Sequence, residues 1–392
     1  MNEDTPVGQR IAYWRNRRGL SQQVLAELVG RSVPWLSQIE RGVRVMDSIT
    51  VLLRLAAVLK VEPSDLIGGL HLPADGGSPL DPPQGLPAIR RALFCPLPDR
   101  PPPTTDQLRS HLEHAKRLDG AGMFEPLALL LPERILAART AAAHEVPDAW
   151  WLLSGLYQVT SSCACVVGEV ELALLAADRA VTTARHAADP LLEETAQLHL
   201  ASALLRQGWL ADAAAVCVNT VDAIAPDDAT TPAGWSTAGL CQLVGSVAAV
   251  RDGHTAAAWD LLGHARTAAD HAAPNDYWAP LGGANVGAHE VSVALEAGDA
   301  VYALQLADTV DVGGLQNEQR RASFLVHVAH AHALRRDDAA TVAVLLEAER
   351  HSAQTVRYQG LARELVTVCL GRERQSHTPG LRGLAERIGV TV

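Results

Sequence analysis

Aromatic residues are scarce, with 3 Phe, 5 Tyr and 8 Trp making up 4% of 392 residues. Sheets are usually built on β-branched and aromatic side chains, so this poverty beside abundant Ala and Leu points to an all-α chain. The 6 cysteines (Cys95, Cys163, Cys165, Cys217, Cys241 and Cys369) contain no C-x-x-C and follow no regular spacing. That excludes a disulfide framework and fits a reducing cytoplasm. The opening MNEDTPVGQR has no apolar run behind a basic patch, so no export signal is read. Residues 229–250 lack charge over a membrane-spanning length. Pro232, Gln242 and several Thr and Ser make a buried helix the better reading, with no membrane partner. No G-x-S-x-G, P-loop or dinucleotide fingerprint is present, so neither catalysis nor a cofactor is expected.

Charge is short of positive sign overall, at −11 net, but unevenly so. Residues 1–70 hold 9 Lys and Arg against 7 Asp and Glu, whereas residues 71–392 hold 24 against 37. An acidic body would repel phosphates everywhere except at a weakly basic head, confining nucleic-acid contact to one face. With 48% hydrophobic and 20% charged residues the chain is globular, and its length calls for more than one unit. The organisation read is a head over 1–70, a Pro-rich linker over 71–105 with a short helix at Ala88–Phe94, a repeat body over 106–371, and a tail or capping helix over 372–392.

Within the head, Leu20–Gly42 reads LSQQVLAELVGRSVPWLSQIERG. Ser21 is placed to cap a helix whose Leu25 and Leu28 face inward, Gly30 supplies a turn, and Ser32 caps a further helix with Pro34 in its first turn. Leu36 and Ile39 are that helix's buried positions, leaving Val33, Pro34, Ser37 and Gln38 outside. Further helices are expected over Ser48–Val61 and Pro63–Ile67. These residues resemble the Cro/C1-type, or XRE, helix-turn-helix over about 7–68: the L-S-Q opening, the Ala26 and Gly30 pair, and the close Ser37, Ile39, Glu40, Arg41, Gly42.

The resemblance implies a five-helix DNA-binding domain that sets its third helix in the major groove of a double-stranded operator. Ser32, Val33, Pro34, Ser37 and Gln38 are then the base readers, Gln22, Arg41 and Arg44 the phosphate contacts, and Trp35 a backbone contact, a dimer-seam contact or plain packing against the head's own helices. It also implies an internal ion pair between Arg15 and Glu40. One small head binds weakly, so a homodimer reading half-sites ~34 Å apart, or a multiple of that, is expected.

In the body, a Gly followed five residues later by Ala recurs at Gly168/Ala173, Gly208/Ala213, Gly253/Ala258 and Gly298/Ala303, then as Asp338/Ala343. Successive starts lie 40, 45, 45 and 40 residues apart, each between two apolar helical patterns. The unit is helix, tight turn, helix, and units of this kind stack because none buries its apolar face alone. Five such pairs are read, with one degenerate pair before them at about 106–144 and a capping helix at Tyr358–Leu370. The pattern resembles the tetratricopeptide (TPR) repeat with lengthened helices, which implies a right-handed superhelix. HEAT-like pairs are the alternative.

That register sets Gln158, Ser162, Ser202, Arg206, Arg251, Asn285, Ser292 and His332 on a concave face, where an Asn amide can hold a peptide backbone. His327, His330 and His332 lack a further ligand at known spacing, so no metal is expected. Head plus repeat body is similar in layout to the peptide-pheromone receptor regulators of Gram-positive bacteria. This implies a transcriptional regulator, acting in quorum sensing, whose body senses a signalling peptide and thereby places the heads. A DNA-tethered protein–protein platform and a small-molecule sensor are the alternatives.

Overall fold

Every regular element among the described residues is helical, as the Ala/Leu bias requires. The computed structural model describes residues 7–44, 49–59, 61, 66, 82–225, 230–273, 280–372 and 378–390. The first four helices are α1 (Val7–Arg17), α2 (Gln22–Leu28), α3 (Val33–Glu40) and α4 (Ile49–Leu59). Ser21 and Ser32 cap α2 and α3 by accepting from Val24 N and Trp35 N. Ile11, Leu25, Val29, Leu36, Ile39, Leu55 and Leu59 form their shared core. Gly8 lets α1 lie on α3, for a Cβ there would fall 1.9 Å from the Ile39 carbonyl oxygen. One inward assignment is corrected: Leu28 is 57% exposed, and the adjacent Val29 is buried in its place. The fifth helix expected at Pro63–Ile67 lies outside the described residues except for Leu66, which is fully buried.

The short helix within the Pro-rich stretch is α5 (Leu86–Phe94). It does not stand off as a spacer. Leu86, Ile89, Ala92 and Leu93 sink into the first core of the body.

Six helix pairs follow: α6/α7 (Thr105–Gly120, Phe124–Ala143), α8/α9 (Ala149–Val166, Val170–Ala184), α10/α11 (Pro190–Gln207, Leu210–Ile224), α12/α13 (Pro232–Arg251, Thr255–His271), α14/α15 (Gly283–Glu296, Ala300–Ala307) and α16/α17 (Glu318–Leu334, Asp338–His351). Three C-terminal helices, α18 (Ala353–Tyr358), α19 (Gly360–Gly371) and α20 (Leu381–Ile388), finish the stack, with Leu381, Leu384 and Ile388 of α20 buried against it. Helix α12, uncharged up to its last residue Arg251, is long and apolar enough to cross a membrane by length and composition, and 67% of its apolar stretch is buried inside the body.

The turn within each pair needs a left-handed residue two positions before the second helix. Gly122, Gly168, Gly208, Gly253 and Gly298 supply it with φ between 65° and 93°. In the last pair Arg336 takes that conformation, at φ 61°. The register expected there, Asp338/Ala343, is therefore corrected by two residues to Arg336/Thr341. Burial agrees: Ala173, Ala213, Ala258, Ala303 and Thr341 are all 0% exposed, while Ala343 is exposed.

The stack curls until its ends meet. The Glu125 amide donates to Gln354 Oε1 at 2.9 Å, the Tyr358 hydroxyl to Glu125 Oε1 at 3.0 Å, and the Ser352 hydroxyl to the Gly122 carbonyl at 3.3 Å. The first helices of the pairs thereby share an inner wall, the lumen, on which Asp119, His199, Arg206, His289, Arg320 and His327 lie within electrostatic reach of one another.

Candidate functional site: a docked head above a charged lumen

The reading helix begins at Ser32. Val33 is 37% exposed, Pro34 is exposed, and Ser37 and Gln38 are half-buried, with Gln38 Oε1 shielded and lacking a hydrogen bond. For Trp35 the packing alternative holds and the DNA and seam contacts do not: it is 3% exposed, packed in the head core beneath the Arg31 guanidinium. The indole is large and α3 turns it inward beside Leu36 and Ile39.

Glu40 organises the helix junction. Arg15 Nε donates to its Oε1 at 2.5 Å and Arg15 Nη2 to its Oε2 at 2.8 Å, a bidentate pair that pushes the Arg15 pKa up. Gln22 Nε2 also donates to Glu40 Oε2, at 2.8 Å, so the amide expected at a phosphate is occupied inside the head. Arg41 remains exposed, its Nε donating to the Ser37 carbonyl at 3.1 Å.

Arg44 is the larger correction. Expected at a phosphate, it is 5% exposed and crosses to the body, where Nη1 donates to the Leu295 carbonyl at 3.2 Å and Nη2 to Glu296 Oε2 at 3.0 Å. Beside it, Arg31 of the α2–α3 turn donates to the carbonyls of Val250 (3.3 Å) and Arg251. A Cβ on Gly298 would sit 3.7 Å from Ser32 Oγ, and one on Gly253 3.0 Å from the Gly30 carbonyl. The head is thus seated on the turns α12–α13 and α14–α15 by the α2–α3 turn and by Arg44 beyond α3, while Val33 and Pro34 in the first turn of α3 stay exposed.

Glu296 joins this seat to the lumen. Its second oxygen accepts from Arg251 Nε at 3.2 Å. Burial alone would raise the Glu296 pKa, but Arg251, Arg44 and His330 outweigh it and hold the group at about 2. His330 in turn is lowered to about 4, first by burial and then by Arg44. One carboxylate thus has the head on one side and lumen side chains on the other.

Of the concave residues expected, Arg206 stands exposed in the lumen although surrounding protein lowers its pKa. Ser162 donates to Asp119 Oδ2 at 3.0 Å, Ser202 to the Leu198 carbonyl at 2.9 Å, and Ser292 pairs with His327 Nδ1 at 2.9 Å. Gln158 is 3% exposed, its amide turned onto Ser154 within the wall. Asn285 is 8% exposed and its Nδ2 has no hydrogen-bond partner among the described residues. His332 is corrected: it lies toward Asp337, with Arg335 and Asp308 around it, at the outer turn. The two-residue register shift of the last pair explains this, since His330 and not His332 is the counterpart of Ser162, Ser202 and Ser292.

The lumen also holds groups not expected from the pattern: Lys116 and Asp119 on α6, His199 on α10, His289 on α14, and Arg320 and His327 on α16. Burial, followed by Lys116 and Arg320, lowers His199 to about 4. Burial also lowers His289 to about 4 against the Asn285 carbonyl, which favours its charged form, and it lowers His327 to about 3. Asp119 is pushed up to about 6 by burial, in opposition to Ser162, Arg320 and Lys116. At neutral pH the histidines offer hydrogen bonds without charge, while the arginines stay positive. Among the described residues no group of three His, Cys, Asp or Glu is placed to hold a metal ion.

Comparison with known proteins gives these positions a context. Residues 7–66 match a family described as a helix-turn-helix domain, and that segment is such a domain. A curated relative, the HTH-type transcriptional regulator SinR of Bacillus subtilis (strain 168), is 38% identical over 65 residues, 17% of this chain and 59% of that protein. The chain therefore spans less than two thirds of the length of that relative.

Two solved structures superpose loosely. Bacillus thuringiensis PlcR, in complex with the peptide PapR7 and DNA, is 12% identical with a TM-score of 0.38 over 84% of this chain and 97% of its own. The apo form of the competence regulator ComR from Streptococcus vestibularis is 14% identical with a TM-score of 0.24 over 74% and 97%.

Proposed function

We propose that this chain is a cytoplasmic, DNA-binding transcriptional regulator. It reads an operator as a homodimer, and its repeat body senses a ligand, a peptide in the first instance, that controls where the heads sit. The helix-turn-helix segment with exposed Val33, Pro34 and Arg41 supports the DNA half of this reading. The Arg44–Glu296–Arg251 bridge carries the control half. A side chain suited to a phosphate is held by a carboxylate that also faces the lumen, so a ligand that takes Arg251 from Glu296 tightens the hold on Arg44, whereas one whose donors compete with Arg44 for Glu296 loosens it. Such a ligand shifts the equilibrium only by binding the undocked arrangement better than the docked one.

The test is a substitution that keeps shape and removes charge. Glu296→Gln leaves Arg44 with a weaker partner, and DNA affinity of the full chain for selected duplexes is expected to rise roughly tenfold, the size of one lost charge-assisted bond. The salt slope should steepen by about one unit as Arg44 becomes a phosphate contact. Unchanged affinity and slope would sink the proposal that the seat restrains the head. Deleting residues 1–81 and retaining DNA binding would sink the DNA reading altogether.

A further inference from the structure

The lumen differs in sign from the body around it. Residues 71–392 are acidic overall, yet the side chains converging on the lumen include Lys116, Arg206, Arg251 and Arg320, with Asp119 and Glu296 as the acids. Glu296 is engaged by Arg44 and Arg251. Arg320 has no ion pair or hydrogen bond to its guanidinium among the described residues, and only the field of Asp119 favours its charge. Its neighbour Arg321 behaves otherwise, bonding Glu318 and the carbonyls of Gly313 and Leu315.

Arg320 and Asn285 line one small recess, together with Gly282, Gly314, Leu315 and Gln316. Asn285 brings a buried amide Nδ2 with no hydrogen-bond partner among the described residues, a state that folded proteins rarely leave unfilled. A guanidinium and an amide NH2 present donors only, and their complement is a planar pair of acceptor oxygens. We propose that this recess binds a ligand carboxylate, gripped by Arg320 and Asn285, so that the lumen selects anionic ligands.

The recess is closed to about the size of a single water. A space of that size takes one carboxylate oxygen, and the rest of the ligand lies outside it, on the lumen side where Arg206 is exposed. A cationic end would be repelled by Arg320, for which Asp119 is the one acid in reach among the described residues. A peptide's free C-terminus, an acidic side chain and a small organic acid share the required chemistry. The inference rests on the reading of the body as a ligand sensor.

The full chain would be incubated with three pools of N-acetylated heptapeptides: free C-terminus without Asp or Glu, C-terminal amide with Asp or Glu, and C-terminal amide without either. Retained peptides are read by mass spectrometry, and a fourth set of small mono- and dicarboxylates is read by melting temperature. Retention from a carboxylate-bearing pool is expected, and the pool that responds identifies the source. It should fall roughly tenfold in Arg320→Gln and in Asn285→Ala, recover in part in Arg320→Lys, and stay unchanged in Arg109→Gln on the outer surface.

Equal retention of the acid-free amides, retention from no set, or indifference to both Arg320→Gln and Asn285→Ala overturns the proposal. Arg320→Lys, which keeps the charge, guards against a variant that fails to fold. DNA affinity measured with each retained ligand separates this inference from the reading it rests on. An acidic ligand that binds without changing DNA affinity removes the sensor and leaves the site, and an uncharged ligand that changes DNA affinity does the reverse.

Discussion

The body meets other parts of the chain along two seams of opposite character. Where the helical stack closes on itself, Tyr358 joins the apolar core of the first pairs and Gly122 lies so close to α18 that a Cβ would come within 2.2 Å of Ser352 Oγ. Where the head is seated, the contacts are arginines: Arg31 on carbonyls, Arg44 on Glu296 and Leu295, Arg54 on Asp252, with Val43 as the apolar contribution. Close-packed buried surface gives way only with the fold, whereas ion pairs and carbonyl contacts can be replaced by water. Under the function proposed above, the first seam belongs to the architecture and the second is the one that opens.

The strongest test of that contrast is Gly122→Val. A β-branched residue at φ 65° is strained, and its side chain would displace Ser352 and Thr355. The expected cost is roughly 3 kcal/mol in a urea titration, with expansion of the body in small-angle scattering. A stable, unexpanded variant would mean that the ring is not held closed at this point.

Acid should separate the seams next. His199, His289, His327 and His330 have folded pKa values of about 3 to 4 against an ordinary 6.5. Their neutral forms are favoured by the fold, so the stability they contribute is complete above pH 6.5 and is lost as pH falls toward 4. Asp119 acts oppositely: raised to about 6 from 3.8, it takes its proton earlier in the folded state and gains stability on acidification across the same window. Four histidines outweigh one aspartate, although their partial solvent exposure discounts the sum. The melting temperature should therefore drop between pH 6.5 and 4 with net proton uptake on unfolding. Glu296, held at about 2, keeps its charge throughout. The head should stay seated while the body loosens, which hydrogen exchange at α2 and α3 would report. Release of the head at pH 5 with the body intact would reverse the comparison.

The sequence pattern captured what is local and periodic. Capping serines, the third helix of the head, four of the six pair turns and the Arg15–Glu40 partners are all fixed within one helix pair or one small head. It slipped where residue type and backbone conformation part company. Arg336 occupies a left-handed turn that glycine fills elsewhere, and Asp338, at the start of a helix, looked like the missing member. That slip of two residues, close to 200° around a helix, also exchanged His332 for His330 on the lumen. Arg44 and the ring closure were out of reach for a different reason. Their partners lie 252 and about 230 positions away in the chain, and nothing local distinguishes an arginine awaiting phosphate from one that has found Glu296.

The smallest expected effect compares two arginines on the same seam. Arg44 is 3% exposed at its side chain and reaches Glu296 at 3.0 Å, while Arg54 is 51% exposed and reaches Asp252 at 3.7 Å. A solvated pair at that distance loses in side-chain ordering most of what it gains in attraction, so Arg54→Ala should move head docking by ~0–1 kcal/mol and less as salt is added. Arg44→Ala leaves Glu296 buried with Arg251 as its remaining partner, and uncompensated buried charge costs more than the pair itself contributes. Hydrogen exchange protection in α3 should therefore fall clearly for Arg44→Ala and hardly at all for Arg54→Ala. Equal losses would show that the head is held by the summed field of the acidic body, and that Glu296 has no special place between the seat and the lumen.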